Sequence, residues 1–263
     1  MATEEQPAPA LYEQRDQPEG VPPLALTGER TLPDVPEENY WYRRHLVVYE
    51  WLRARVSGLK VIDMACGEGY GSAVLARTAG EVVGVDANPE AHEHAKLRYR
   101  GPGLRFERNL VERFAEPCDA VVFLQTIEHV GNPGEVLEHF KALVGPDGLV
   151  ALSTPNLETL APAGAEKSAN PWHVKEYRAE EFRALCSAHF ARVELHGLFH
   201  ARKLAAHAFA LEHLRWDAVH RGLGLTRPFY DRFVPAISAR DFALRTDRPL
   251  DEALDFVAVC RLS

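Results

Sequence analysis

Long apolar runs are missing from this chain. No stretch approaches the ~20 residues needed to cross a bilayer. The opening residues, MATEEQPAPA, are acidic and hold no apolar core of a secretory leader, so a cytoplasmic protein is expected. Cysteine is scarce. The four thiols (Cys66, Cys118, Cys186, Cys260) are scattered with no CxxC pair, which argues against a zinc site and a disulfide framework. A surplus of positive charge is also absent: 30 Lys and Arg stand against 38 Asp and Glu, a net charge of −8. That balance opposes a nucleic-acid partner, which calls for a basic face. Local basic groups (Arg43 with Arg44; Arg192 with Arg202 and Lys203) sit among acidic neighbours, as on a solvated surface. No internal repeat is visible. What remains is a globular composition, 46% hydrophobic and 26% charged, in 263 residues. That length suits one α/β domain with an appendage.

Patterning divides the chain. Residues 1–24 are rich in Pro, Glu and Gln and read as a disordered tail. Residues 25–58 read as an N-terminal lid with a helix over 38–56, buried along Trp41, Val48, Leu52 and Val56. From 59 to 199 strands and helices alternate. Strands are predicted at 60–64, 81–85, 104–107, 119–124, 149–153 and 193–196. Helices are predicted at 72–78, 89–99 and 180–187, with another opening at Asn132-Pro133, where Asn caps and Pro takes the first position. The 119–124 run is almost wholly apolar, as in the buried centre of a parallel sheet. The 249–263 segment holds a final strand at 256–260. This alternation predicts an α/β, doubly wound Rossmann-like sheet. Between the last two strands, residues 200–248 read as a helical insert, helical over 204–219 and again from Phe229, placed as a cap.

The strongest motif is Val61-Ile62-Asp63-Met64-Ala65-Cys66-Gly67-Glu68-Gly69-Tyr70-Gly71. An acidic residue ends an apolar strand, and glycines open a helix, letting the backbone turn and approach a ligand. About twenty residues on, a second strand ends in Asp86, placed to accept both ribose hydroxyls of a nucleoside. Spacing alone fits NAD as well as S-adenosylmethionine (SAM). The glycines run GxGxG, and the third glycine of the dinucleotide fingerprint falls at Ser72. Asp63 suits the cationic amino group of a methionine and would repel a pyrophosphate. SAM is therefore favoured.

DMACGEGYG, VVGVDANPEA, DAVVFLQTIEHV and GPDGLVALSTPN together resemble the successive motifs of class I SAM-dependent methyltransferases. The resemblance implies a seven-stranded sheet whose last strand is antiparallel. It implies that Gly67, Glu68 and Gly69 line the methionine moiety, Asp86 and Ala87 meet the ribose, Asn109-Leu110 meets the adenine, and Gln125 lies near the transferred methyl. A closer resemblance runs from about Thr27 to Leu262. TGERTLPDVPEENYWYRRH, LQTIEHV, STPN, NPWHVKEY and HGLFHARKL are similar to actinobacterial sugar O-methyltransferases of the mycobacterial methylglucose-lipopolysaccharide type. This implies a saccharide acceptor. It leaves open whether the chain works alone or as a homodimer.

A sugar hydroxyl is a poor nucleophile at neutral pH and needs a base, or a metal that lowers its pKa. Glu128-His129 follows the fourth strand at its carboxyl end, where ligands sit in open α/β sheets. His173 and Glu176 follow the fifth. The expected base is His129, with Glu128, His173 and Glu176 orienting it or binding the acceptor. Glu128, His129 and His173 are also candidate ligands for Mg²⁺. Ubiquinone-pathway O-methyltransferases and small-RNA 2′-O-methyltransferases resemble the chain at ExxEH, and they bind a divalent ion there. Here Gln125 replaces the first Glu and removes one charge. Arg30, Arg43 and Arg44 are candidates for the methionine carboxylate. Trp41, Trp172 and Phe199 offer ring faces to a sugar or to the core. The alternative acceptor is a small phenolic or polyketide-like molecule; an RNA acceptor or a scaffold without turnover fits less well.

Overall fold

The computed structural model describes residues 11–14, 17–27, 30–162, 164–213 and 227–263. Its centre is one sheet of eight strands. Five run parallel: β3 (Lys60–Met64), β4 (Glu81–Asp86), β5 (Leu104–Arg108), β6 (Cys118–Leu124) and β7 (Val144–Pro155). β8 (Arg192–His200), β9 (Phe242–Arg245) and β10 (Asp255–Arg261) complete the order β5-β4-β3-β6-β7-β10-β8-β9. β10 is antiparallel to both its neighbours. Strand order reverses between β3 and β6, and a crevice opens beyond their carboxyl ends at such a point.

Strand residues alternate between two cores, as the two-residue period requires. Ile62, Val83, Val121 and Val150 face one layer with α4 (Pro133–Leu143) and α6 (Ala179–His189). Val61, Val82, Val122 and Ala151 face the other, with α1 (Asn39–Arg53) and α2 (Tyr70–Leu75). Fully burying one such Val or Leu contributes roughly 1.5–3 kcal/mol. α3 (Pro89–Arg98) is capped by Asn88, whose side chain accepts the N–H groups of Glu90 and Ala91. The short α5 (Leu157–Leu160) is capped the same way by Asn156.

Several expectations change. Asn132 precedes α4, but its side chain makes no capping bond; Pro133 opens the helix. Part of the expected tail is paired: β1 (Leu11–Tyr12) meets β2 (Leu24–Ala25) antiparallel. Leu24, Leu32 and Val35 form a small buried cluster beneath it, which holds this segment down. Residues 1–10 lie outside the described residues. The 200–248 stretch is not all helix. It carries α7 (Arg202–His213), α8 (Arg227–Phe233) and the edge strand β9; residues 214–226, which include the end of the helix expected over 204–219, lie outside the described residues. β9 pairs Gly197–His200 of β8 and β10 pairs Gly197 and Leu198, which together extend β8 beyond its predicted end at 196. Among the described residues no helix is long and apolar enough to cross a membrane.

Candidate active site

A cavity of about 790 Å³ opens at the switch point. One end is built by the β3–α2 turn. Gly67 lines it, and its N–H donates to Asp86 Oδ2 at 2.8 Å; Asn88 N–H donates to Asp86 Oδ1 at 2.8 Å. Asp86 therefore ties the turn to the end of β4 while lining the cavity with Ala87 and Asn88. Burial lifts its carboxyl above the usual range, against those two N–H bonds. Gly69 does not line the cavity. It has φ +95°, and a Cβ there would stand 2.8 Å from both Ala95 and Phe106. Gly71 lets Tyr49 lie on α2, since a Cβ would come 2.1 Å from that ring. The glycines thus serve packing as much as ligand approach.

Asp63 is not on the wall either. It is fully buried, accepting Ser72 Oγ–H at 2.6 Å and Tyr49 O–H at 3.3 Å. Burial pushes its carboxyl up to about 7, against those two hydroxyls. Asp63 thus faces Ser72 and Tyr49 rather than the cavity expected to hold the methionine amino group. Glu68 does line the cavity, though largely buried; it accepts Tyr99 O–H at 3.0 Å, and burial pushes it up to about 8. Asn109 and Leu110 stand off the cavity wall: the Asn109 side chain accepts Leu110 N–H, and Leu110 is exposed. Gln125 does line it. Its backbone is left-handed (φ 51°), and its side-chain amide donates to Ser153 Oγ at 3.0 Å.

The other end holds Glu128, His129 and His173, with one ligand atom of each within 4.8 Å of the others. The two imidazoles meet edge to face, 5.0 Å between centroids. His129 Nδ1 lies 3.0 Å from the Trp172 carbonyl, which can only accept; the proton is therefore assigned to Nδ1. His173 Nδ1 donates to Glu176 Oε1 at 2.6 Å, and its Nε2 accepts from the Asn170 amide at 3.0 Å. Glu176 also accepts the Ser168 N–H and hydroxyl. Burial would raise Glu176, but these bonds outweigh it and hold the carboxyl below its ordinary value. The Glu128 backbone carbonyl accepts the N–H groups of Val174 and Lys175, which pins the loop after β7 to the loop after β6. Glu128 Oε2 is buried with no hydrogen-bond partner, and burial pushes this carboxyl up to about 8.

A methyltransferase-domain family model matches residues 40–208. A probable S-adenosylmethionine-dependent methyltransferase of Mycobacterium tuberculosis is 35% identical over 246 residues, covering 90% of this chain and 89% of that protein. The chain belongs to the SAM-dependent methyltransferases. Its methyl donor is SAM. A ubiquinone biosynthesis O-methyltransferase of Arabidopsis thaliana is 39% identical over 106 residues, 38% of this chain and 33% of the plant protein. Among solved structures, a SAM-dependent methyltransferase of Thermotoga maritima superposes with a TM-score of 0.56 at 13% identity. That match covers 86% of this chain and 95% of the other and shows the shared fold.

The methyltransferase's cavity also has wall residues from α1, of which the motifs point only to Trp41. Glu38, Trp41, His45 and Tyr49 all line the cavity. Their spacing of three, four and four marks one helical face, and that periodicity was available in the sequence. Trp41 was expected in the core beside Val48, Leu52 and Val56. Those three are buried, but Trp41 is 40% exposed, because the start of α1 overhangs the cavity. Phe199 is buried in the core and offers no ring to a ligand. Of the three arginines, Arg44 is committed to a buried two-point pair with Asp255 (2.5 and 2.7 Å), and Arg43 Nε donates to Asn39. Arg30 alone of the three lines the cavity, with a buried Nη1 that has no hydrogen-bond partner.

Proposed function

We propose that this methyltransferase transfers the SAM methyl group to a saccharide hydroxyl. The observation that carries the reading is the composition of the cavity lining: an oriented histidine, a buried carboxyl group and two exposed tryptophans share it. Such groups hydrogen-bond to hydroxyls and stack on sugar C–H faces. The partial similarity to ubiquinone O-methyltransferases supports oxygen as the acceptor atom. In this reading the Trp172 carbonyl holds His129 in the tautomer whose Nε2 is basic. As the acceptor oxygen bonds to the methyl carbon, the C–S bond breaks and the sulfonium becomes a neutral thioether. The hydroxyl proton passes to His129 Nε2. Alignment of oxygen, methyl and sulfur supplies much of the rate. Asp86 accepts the ribose hydroxyls, and Arg30 pairs with the methionine carboxylate. Among the described residues the 200–248 segment, expected as an acceptor cap, contributes none to the cavity wall.

A second reading rests on the orphaned Glu128 Oε2 and the convergence of Glu128, His129 and His173. These three would hold a divalent ion once His173 Nε2 gave up its bond from Asn170, and the ion would lower the pKa of an acceptor hydroxyl. Gln125 brings no charge to that set, and its amide nitrogen is bonded to Ser153. One experiment tests both readings: an acceptor screen with labelled SAM across oligosaccharides and phenols, with and without EDTA. Labelled oligosaccharide, insensitive to EDTA, is expected. Loss with EDTA and rescue by Mg²⁺ would make His129 a ligand. Labelled phenols with no labelled glycan would favour a small phenolic or polyketide-like acceptor.

A further inference from the structure

Two large aromatic side chains are exposed on the wall of a concave cavity, Trp41 at 40% and Trp172 at 54%. Tryptophan is usually well buried, so exposed indoles sharing one cavity are informative. They come from distant parts of the chain, the first turn of α1 and the loop after α5. Each is rigidly mounted. Trp41 has the Arg44 guanidinium 4.9 Å from its ring centroid, and Arg44 is locked to Asp255 at the end of the sheet. Trp172 is fixed through its backbone: its N–H donates to Asn170 Oδ1 at 3.0 Å, and its carbonyl holds His129. Because the Trp172 backbone carbonyl holds His129, this tryptophan is seated beside the proton acceptor. His45 lies one turn along α1 from Trp41, on the same wall.

Resting on the saccharide reading, we infer that Trp41 and Trp172 form a pyranose-binding subsite at the cavity mouth. It grips the acceptor by its ring faces, and His45 hydrogen-bonds a ring hydroxyl. An indole covers the C–H face of a sugar, while the equatorial hydroxyls stay at the rim for polar partners. His45 is suited to that task because it stays neutral. Burial and the Arg44 charge push its imidazole down to about 4, against Asp255, so it keeps one donor and one acceptor at neutral pH. The side chains of Trp41 and Trp172 act on acceptor affinity, whereas His129 acts on the proton. The subsite therefore predicts a split between KM and kcat that a purely structural role would not produce.

The test uses the full chain with neutral gluco- and manno-oligosaccharides of one to four rings. W41A, W172A, W41F, W172F and H45A are compared for SAM affinity, acceptor KM and kcat. The two alanine tryptophan variants should each raise the oligosaccharide KM about five- to ten-fold, the worth of one aromatic stacking contact. The phenylalanine variants should recover most of that, and SAM affinity should hold in all five. Longer oligosaccharides should lose more than single sugars, since the platform lies outside the reacting ring. Unchanged oligosaccharide KM in both W41A and W172A, in an enzyme that methylates saccharides, would overturn the subsite and leave the acceptor reading standing. Wild-type protein that methylates phenols and no saccharide would overturn both.

Discussion

The two ends of the cavity are built differently. At the glycine-turn end, the Gly67–Asp86 bond spans 19 residues and Asn88–Asp86 spans two. Its shape lies in one strand-turn-helix unit and the end of the next strand. At the histidine end, His129 is oriented across 43 residues by Trp172, and α1 is anchored across 211 residues by Arg44–Asp255. A local unit imposes its geometry wherever it occurs, so it is reused and recognisable. A wall assembled from distant loops can be rebuilt piece by piece, which is how one sheet serves many acceptors.

The largest test of that contrast is Asp255→Ala. It leaves the buried Arg44 charge without its partner and should cost about 3–5 kcal/mol of stability, seen as a lower denaturation midpoint. Because Arg44 braces the Trp41 end of α1, acceptor KM should suffer more than SAM affinity in the protein that still folds. Equal damage to both would break the contrast. Next is His129→Ala, which should lower turnover ~100-fold or more with SAM affinity intact by calorimetry. Near-normal turnover would remove His129 from the chemistry as both base and ligand. Asp86→Ala attacks the opposite end. It should weaken SAM binding by ~1–3 kcal/mol, with turnover at saturating SAM changed far less. Unchanged SAM affinity in a folded variant would take Asp86 out of the cofactor site.

The smallest effect sharpens the contrast through pH. Asp63 and Glu68, both at the cofactor end, keep their protons in the folded protein up to about 7 and 8. In the unfolded chain both ionise near pH 4. Between those values the folded state binds more protons, so stability falls as pH rises through the window. A loss of about 1–2 kcal/mol between roughly pH 7 and 8 is expected in ligand-free protein. Glu68→Gln should flatten part of that slope in denaturant melts, and a slope left unchanged would exclude Glu68 as a source.

From residue order alone came the alternation of strands and helices, the parallel core of the sheet, the glycine turn and Asp86. Each is a short-range consequence: a period of two or 3.6, a cap, or a backbone dihedral that glycine permits. The pairing of Glu128-His129 with His173 was also legible, because both follow strand ends that a doubly wound sheet brings to one edge. Tertiary structure decided the rest. It withdrew Asp63 and Gly69 from the cavity wall, since burial under α1 and contact with Ala95 and Phe106 are properties of packing. It kept Asn109 and Leu110 off that wall, turned Trp41 outward and sent Phe199 into the core. It added β9 to the sheet, because a short strand at an edge exists only by virtue of the strand it pairs with. It also separated Arg30 from Arg44: three arginines look alike in a sequence, and only the buried carboxylate of Asp255, 211 residues away, distinguishes them.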